Sequence, residues 1–449
     1  MSRTVIIGAG KSGLAAARHL LAKGEDVVLN DRRSDPGRRM EIDLAALGIP
    51  GVWGRHPEAL FEDCRMVVLS PGVPPSLAFL DAVRKRGVPV LGELELAHRE
   101  LRRQDPSAKV LAITGTNGKS TTTDLTAHLL RASGLPSVAC GNLGTPLIEA
   151  IEGAAAGTVY AVECSSYQLE TVDSFHAEAA ALLNLTADHL ARHGTMERYL
   201  EAKQRIFRWQ GPSDRRILPA AAPALALGAP GSGTTLPFGW GPSTEDGAWC
   251  DQGRMLLREG GEGFDLVHRD ELRIPGDHNV ENALAAALLA RHGGASLPAL
   301  RDGLRSYGGL AHRIAFCGEK GGVKAYNDSK GTNVDATLTA VHALPGPLVL
   351  LLGGQDKGSS YEPLREALAG KLRQLIFLGE AVPQLERDLG DLPHVTIRPF
   401  DDAVREALKV ALPGDQVLLS PACASFDQFD NFEARGDRFE ALVRAWASS

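Results

Sequence analysis

Short, wholly apolar runs alternate with segments of helical period from one end of the chain to the other. The first block reads TVIIGAG, GLAAARHLLAKG, DVVLND, MVVLSPGV and VPVLGE. Strands that are apolar throughout, rather than every second residue, are those buried on both faces of a parallel sheet, and the intervening helices supply the cover. The polar stretch HRELRRQDPSAK then predicts an exposed linker. The rhythm resumes with KVLAIT, the helix TTTDLTAHLLRASG, TVYAVECSS and AALLNL. Between about Gly211 and Asp277, glycine and proline gather around short pieces such as RMLLRE and GFDLVHR, which predict loops and hairpins inserted before the helix NALAAALLARHGG. A third block begins near Leu310, with VKAYNDS, PLVLLLGG, QLIFLGE, HVTIRPF and DQVLLSPA as strands between helices such as VDATLTAVHAL and AVREALKVAL. The pattern predicts an α/β protein of three domains, each on a mainly parallel sheet, over residues 1–92, 93–308 and 309–449. No short-period repeat marks a solenoid.

Length agrees, since 449 residues fit about three domains at roughly 150 residues each. With 44% hydrophobic and 23% charged residues, the composition excludes collagen-like and disordered classes. A net charge of −7 argues against a broad nucleic-acid surface, which needs clustered Lys and Arg, but leaves room for a local anion pocket. The six cysteines are scattered without a CxxC pair, so neither a zinc cluster nor a disulfide framework is expected. TVIIGAG follows the N-terminus without the regions of a signal peptide, and no apolar run approaches the roughly 18 residues of a membrane helix. A cytoplasmic protein with no membrane insertion is the expectation.

Two glycine-rich turns bring in chemistry. AITGTNGKSTTT departs from the usual phosphate loop, because the position four residues before Gly118-Lys119 is Ile113 and the first glycine is Gly115. The context is still strand, tight turn, lysine, hydroxyl residues, helix. Backbone N–H groups at such a helix start point toward an anion, Lys119 adds charge, and Ser120 or Thr121 can ligate magnesium. The second turn, Gly8-Ala-Gly-Lys-Ser-Gly13, follows the first strand, and Asp31 ends the next, as in a dinucleotide fingerprint. It does not separate a nicotinamide cofactor from a sugar nucleotide. Glu163 ends TVYAVE, where a strand-end carboxylate faces the ligand crevice or simply solvent. A carboxylate and a loop hydroxyl suit magnesium. His189 and His193 are spaced four apart, on one face if helical, and such a pair is more often structural than metal-binding.

The motifs in order, GAGKSG, SPGV, TGTNGKSTTT, GNLG, ECSSYQLE, DH, GDHNVENALAA, HR, NDSKGTN, LLGGQDKG and SPACASFDQFDNFEARG, span the chain and resemble the Mur ligase family. These are ATP-dependent amide-forming enzymes of peptidoglycan precursor synthesis, whose nucleotide loop has the short form TGTNGK[ST]T. The combination of NDSKGTN with SPACASFDQF resembles the members that add D-glutamate to UDP-N-acetylmuramoyl-L-alanine. The DNPR tetrapeptide and the GTHGK loop of sibling enzymes are absent. The resemblance implies a Rossmann-like N-terminal domain for the UDP substrate, a P-loop-like central ATPase and a Rossmann-like C-terminal domain for the amino acid, acting as a monomer. It also implies that ATP phosphorylates the substrate carboxylate and that the amine of D-glutamate attacks the acyl phosphate.

Residue by residue, the resemblance assigns Gly115, Thr116, Asn117, Gly118, Lys119, Ser120 and Thr121 to ATP. Asn279 and Asn282, on one helical face, and Arg313 and Asp328 join them. Two magnesium ions are implied, one on Ser120 and Glu163 and one on His189, the second supported by Lys203 carbamylated to an anion. By spacing alone Lys203 reads as a solvated helix face. Asn142 and His189 approach the reacting groups. Lys11, Ser12, Asp31, Arg32, Arg33 and Gly72 match the uridine-diphosphate pocket, replacing the nicotinamide reading of GAGKSG. Thr332, Lys357, Ser425, Phe426 and Phe432 match the D-glutamate site, where cations and hydroxyls meet carboxylates.

The chain departs from the family twice. Ala191 stands where many relatives have the second aspartate of DHxDxH, and His312-Arg-Ile-Ala315 replaces HRxE. Whatever that glutamate does is dispensable here or supplied from elsewhere. The competing readings are a sibling ligase for another amino acid, a non-catalytic ATP sensor, and an NAD-dependent oxidoreductase with a regulatory ATP site.

Overall fold

A computed structural model describes residues 3–356, 358 and 360–448. Three sheets carry the chain. The first contains β1 (Arg3–Ile7), β2 (Val27–Asp31), β3 (Gly51–Trp53), β4 (Cys64–Leu69) and β5 (Val90–Gly92), ordered β3-β2-β1-β4-β5 with every pair parallel. Val5, Ile6, Val67 and Val68 are fully buried, as continuous apolarity requires. The strand order reverses at β1, and a doubly wound sheet opens its ligand crevice at such a point, beyond the strands' carboxyl ends.

The second sheet contains β6 (Lys109–Thr114), β7 (Ser137–Gly141), β8 (Val159–Glu163), β9 (Ala179–Leu182), β10 (Arg215–Pro219), β11 (Thr234–Trp240), β12 (Gly247–Asp251), β13 (Arg254–Glu259) and β14 (Glu262–His268), ordered β14-β13-β12-β11-β10-β9-β6-β8-β7. RMLLRE and GFDLVH form the expected antiparallel hairpin. The region is nevertheless no separate insertion, because β10 and β11 continue the parallel sheet beside β9. Backbone pairing with β9 outweighs the glycine and proline content that made this stretch read as loop.

The expected linker is also corrected. Its first half lies in the helix Glu93–Gln104, whose Leu94, Leu96, Ala97 and Leu101 are buried. Glu95 accepts from Asp173 N, Ser174 N and Ser174 Oγ at 2.6–3.1 Å, and Arg102 donates to Ala108 O and Glu178 at 2.6 and 2.7 Å. Its charges therefore tie two strand-end loops together rather than solvate a tether.

The third sheet contains β15 (Ala315–Lys320), β16 (Val323–Asn327), β17 (Leu348–Gly353), β18 (Leu372–Leu378), β19 (His394–Thr396) and β20 (Gln416–Leu419), ordered β15-β16-β20-β17-β18-β19. Only β15 runs antiparallel. Residue packing divides the chain into two compact units, Met1–Glu271 with Val280–Ser306, and Leu272–Asn279 with Tyr307–Ser449. The first holds two sheets and the second holds the third. Among the described residues, no helix is long and apolar enough to cross a membrane.

Candidate active site

β6, between β9 and β8 in the second sheet, turns at Gly115 into the helix Lys119–Ala132. Gly118 caps that helix at φ 81°, and a Cβ there would come within 2.3 Å of Asn282 Oδ1, so only glycine fits the turn. Asn282 also accepts from Thr122 Oγ1 at 3.2 Å. Asn184 Oδ1 receives the N–H groups of Thr116 and Asn117 at 3.0 and 2.8 Å, and its amide returns a bond to Asn117 O at 3.1 Å. Sequence reasoning missed Asn184, whose only signal was its place at the end of AALLNL. Ser120 and Thr121 are buried in the first turn of the helix, where aligned N–H groups favour an anion.

Lys119 Nζ donates to Gly115 O and Thr116 O at 3.0 and 2.7 Å. Lys203 reaches the same loop from the helix Met196–Gln204 and donates to Gly115 O at 2.7 Å. It is 1% exposed, which overturns the solvated-face reading. Helical spacing could not show that this face of a polar helix packs on the loop. Burial, and next the charge of Lys119, bring its pKa down to about 7. Its Nζ sits 4.5 Å from the centroid of the Tyr199 ring.

Strand register sets the carboxylate. Glu163 pairs with Ile113 on one side and with Gly141 on the other, so it ends beside the loop. It is 2% exposed, which overturns the solvent-facing alternative. Oε1 accepts from Asn142 Nδ2 at 2.7 Å, while Oε2 is buried with no hydrogen-bond partner. An orphaned anionic oxygen beside a helix start with hydroxyls fits a magnesium ion, which takes hard oxygen ligands.

His193 N donates to His189 O at 3.1 Å, so the two histidines are one helical turn apart, and both rings pack against Tyr167 and Tyr199, at 5.0 and 6.2 Å for His189 and 5.6 and 5.1 Å for His193. His189 caps a four-residue helix at φ 55°, is exposed, and lies 3.2 Å from Tyr167 OH through Nδ1 and 3.4 Å from Asp188 through Nε2. His193 is buried against Ser166 Oγ at 3.0 Å, and burial depresses its pKa. Among the described residues, no group of three or more His, Cys, Asp or Glu is arranged to hold a metal ion by itself.

A cavity of about 640 Å³ opens at the reversal point of the first sheet. Lys11, Ser12, Asp31, Arg32 and Gly72 line it together with Asn142. Arg33 is not in the lining and instead holds Asp31, donating to its carboxylate at 3.2–3.3 Å, while Ala9 N donates at 2.7 Å. These bonds keep the Asp31 pKa below its usual value against the opposing effect of burial. Sequence reasoning missed two lining residues, His56 and Ser70. His56 stacks on Phe79 at 5.0 Å, and Ser70 Oγ donates to Gly8 O at 2.6 Å. His56 stands in no motif and Ser70 is the serine of SPGV, whose lining role shows only in the packing of the β3 and β4 ends.

The second unit gathers the remaining residues separately. Asn279 donates to Pro275 O at 2.7 Å. Asp328 is buried and accepts from Ser420 Oγ at 2.7 Å; burial pushes its pKa up to about 7 against that bond and the charge of Arg313. Ser425 is buried, Thr332 is half-buried, Phe426 is 66% exposed, and Lys330 Nζ lies 5.1 Å from the centroid of the Phe432 ring. Lys357 lies outside the described residues. Arg435, unnoticed within DNFEARG, is buried and donates to Ser329 Oγ, Ser329 O, Cys423 O and Ala424 O at 2.9–3.2 Å. It thereby joins the two loops that carry Thr332 and Ser425.

Family comparisons fall on the same segments. The N-terminal domain of the Mur ligase MurD-like type matches residues 2–92, the Mur ligase middle domain matches 113–290, and the Mur ligase glutamate ligase domain matches 312–423. The UDP-N-acetylmuramoylalanine–D-glutamate ligase of Alkaliphilus metalliredigens is 39% identical over 98% of this chain and 97% of its own. The enzyme of the same name from Acidobacterium capsulatum is 41% identical over 99% and 96%. In fold, the chain is similar to UDP-N-acetylmuramate-alanine ligase from Thermotoga maritima, with a TM-score of 0.60 at 19% identity over the full length of both.

Proposed function

The chain belongs to the Mur ligase family, and from that membership we propose that it joins D-glutamate to UDP-N-acetylmuramoyl-L-alanine with ATP, in peptidoglycan precursor synthesis. The observation that carries the reading is Asn142. It lines the cavity of the first sheet and donates to Glu163, the carboxylate registered beside the phosphate loop. A sugar nucleotide seated in the cavity would thus present its distal acid near the γ-phosphate of an ATP on the loop. Lys11 and Arg32 suit the diphosphate, and Asp31 suits a ribose hydroxyl.

The chemical difficulty is the approach of two anions. Lys119 neutralises charge at the γ-phosphate, and the helix start beyond it adds aligned N–H groups. Ser120 and Glu163 would hold one magnesium ion, and His189 with a carbamylated Lys203 a second; bound there, the metal neutralises phosphate and carboxylate oxygens. Lys203 suits carbamylation because an amine near neutrality when buried can add to carbon dioxide, losing one proton as the carbamate anion forms. Asn279, Asn282, Arg313 and Asp328 are assigned to the nucleotide, and Thr332, Lys357, Ser425, Phe426 and Phe432 to the incoming amino acid. The domain bounds 1–92, 93–308 and 309–449 and a monomeric enzyme complete the proposal.

A phosphate-release assay with UDP-N-acetylmuramoyl-L-alanine and a panel of D- and L-amino acids tests it. Turnover with D-glutamate is expected. Turnover with another amino acid alone would make this a sibling ligase, and nucleotide binding without any turnover would make it a sensor.

A further inference from the structure

Two non-glycine residues of one short turn, His312 at φ 61° and Ile314 at φ 48°, adopt left-handed backbone, with Arg313 between them. L residues, β-branched ones above all, take that conformation only where their surroundings impose it. Here His312 O accepts from Lys330 N at 3.1 Å, and the backbone of Ile314 hydrogen-bonds the Asp328 carboxylate. The His312 ring meets Asn327 Nδ2 through Nδ1 at 2.8 Å and is pressed by the helix Phe432–Ser448, where a Cβ on Gly436 would come within 2.1 Å of that nitrogen.

Asn327 is wholly buried, and its side chain connects the turn to that helix. Its Nδ2 faces Gly436 O at 3.1 Å and Glu440 Oε1 at 3.0 Å, while its Oδ1 accepts from Ser329 N at 3.0 Å. A carboxylate is the strongest of the acceptors around Nδ2. Glu440 comes from the helix, one turn beyond Gly436, and its Oε2 is steadied by Arg444 at 2.9 Å. On the strand side, Ala315 is paired directly opposite Asn327 in the antiparallel β15–β16 ladder. Directly opposed residues project from the same face of a sheet. A glutamate at position 315, as HRxE would place it, would therefore extend on the face that Asn327 occupies.

We propose that Glu440 supplies from the C-terminal helix the carboxylate that relatives with HRxE carry on the strand, and that it is a positioning residue for the Arg313 turn. The alanine at 315 and the glutamate at 440 are then two halves of one relocation. The inference rests on the reading of Arg313 as a nucleotide contact.

The test uses the full-length protein, with titration of a non-hydrolysable ATP analogue and initial rates for each substrate. Glu440→Ala should weaken analogue binding about tenfold and raise KM for ATP by a similar factor, as expected for loss of a charge-assisted hydrogen bond. The KM for the sugar-nucleotide substrate should not move. Adding Ala315→Glu to Glu440→Ala should bring analogue affinity back to within about threefold of the parent, since the carboxylate returns to the same face. Should Glu440→Ala fail to fold, the double variant decides. Recovery of both fold and affinity supports the relocation, whereas a double variant that is unfolded, or folded but still weak, overturns it. Unchanged affinity in Glu440→Ala also overturns it. Arg313→Ala separates the two layers. If it weakens the analogue and Glu440→Ala does not, the inference alone falls; if Arg313→Ala changes nothing, the nucleotide reading of this turn falls and takes the inference with it.

Discussion

Lys119 and Lys203 donate to the same carbonyl oxygen, that of Gly115, at 3.0 and 2.7 Å. Burial, and next the charge of Lys119, bring the pKa of Lys203 down to about 7. The two lysines therefore divide their work. Lys203, buried and brought near neutrality, is the one of the two open to modification as an amine.

Lys119→Ala should cost about 3 kcal/mol or more of transition-state stabilisation, so that kcat falls at least roughly 100-fold while the fold survives. Steady-state rates beside a thermal melt check this. Near-parental turnover would remove the lysine from the chemistry.

Lys203→Ala should be nearly inactive and recover turnover with added short carboxylates. Labelled carbon dioxide should give a carbamate carbon signal in the parent, stronger above pH 7 as the amine deprotonates, and none in Lys203→Ala. A variant that works unaided would end the carbamate reading. Stability supplies a separate check on the unmodified amine. Its folded pKa lies below the unfolded value near 10.5, so the unfolded chain binds the extra proton between about pH 7 and 10.5, and stability rises with pH across that window. Without carbon dioxide, Lys203→Met should lack this rise in urea titrations.

Glu93 is a buried carboxyl with one bond, to Ile148 N at 2.9 Å, and an unpartnered Oε2. Burial raises its pKa from 4.5 to about 7. A raised carboxyl favours the protonated folded state, so its contribution is greatest below pH 4.5 and declines until about pH 7, a total of about 3 kcal/mol. Glu93→Gln keeps an acceptor for Ile148 and should remove that decline. Parallel denaturation curves for the two proteins at pH 5 and pH 8 would count against it.

His56→Ala should raise KM for the sugar-nucleotide substrate several-fold and leave KM for ATP unchanged, because His56 lines the cavity of the first sheet and not the loop. A change confined to ATP would misplace the cavity's ligand.

Much of this molecule was legible as pattern. Buried parallel strands announce themselves by unbroken apolar runs, and glycine-rich turns by the conformations only glycine takes easily, so the α/β class and the phosphate loop could be read directly. Lys203 shows where reading stopped. Nothing in YLEAKQRIF separates a lysine in solvent from one pressed under a nucleotide loop, because helical period reports which residues share a face and not what covers that face. HRELRRQDPSAK failed for the same reason: its Arg99 and Arg102 looked solvated until their partners Asp173 and Glu178 came from far along the chain.

The sequence by itself determined the α/β class, the two turns able to approach phosphates, and the family to which they belong, since each of these is local or is carried by motif. Only the tertiary structure decided that Glu163 lies beside Ile113, that Asn142 joins a cavity to a carboxylate, and that Glu440 reaches Asn327, the residue paired with Ala315. Strand register and helix packing bring together residues separated by up to more than a hundred positions, and burial then sets their charge. Neither register nor burial is written in any one segment of the chain.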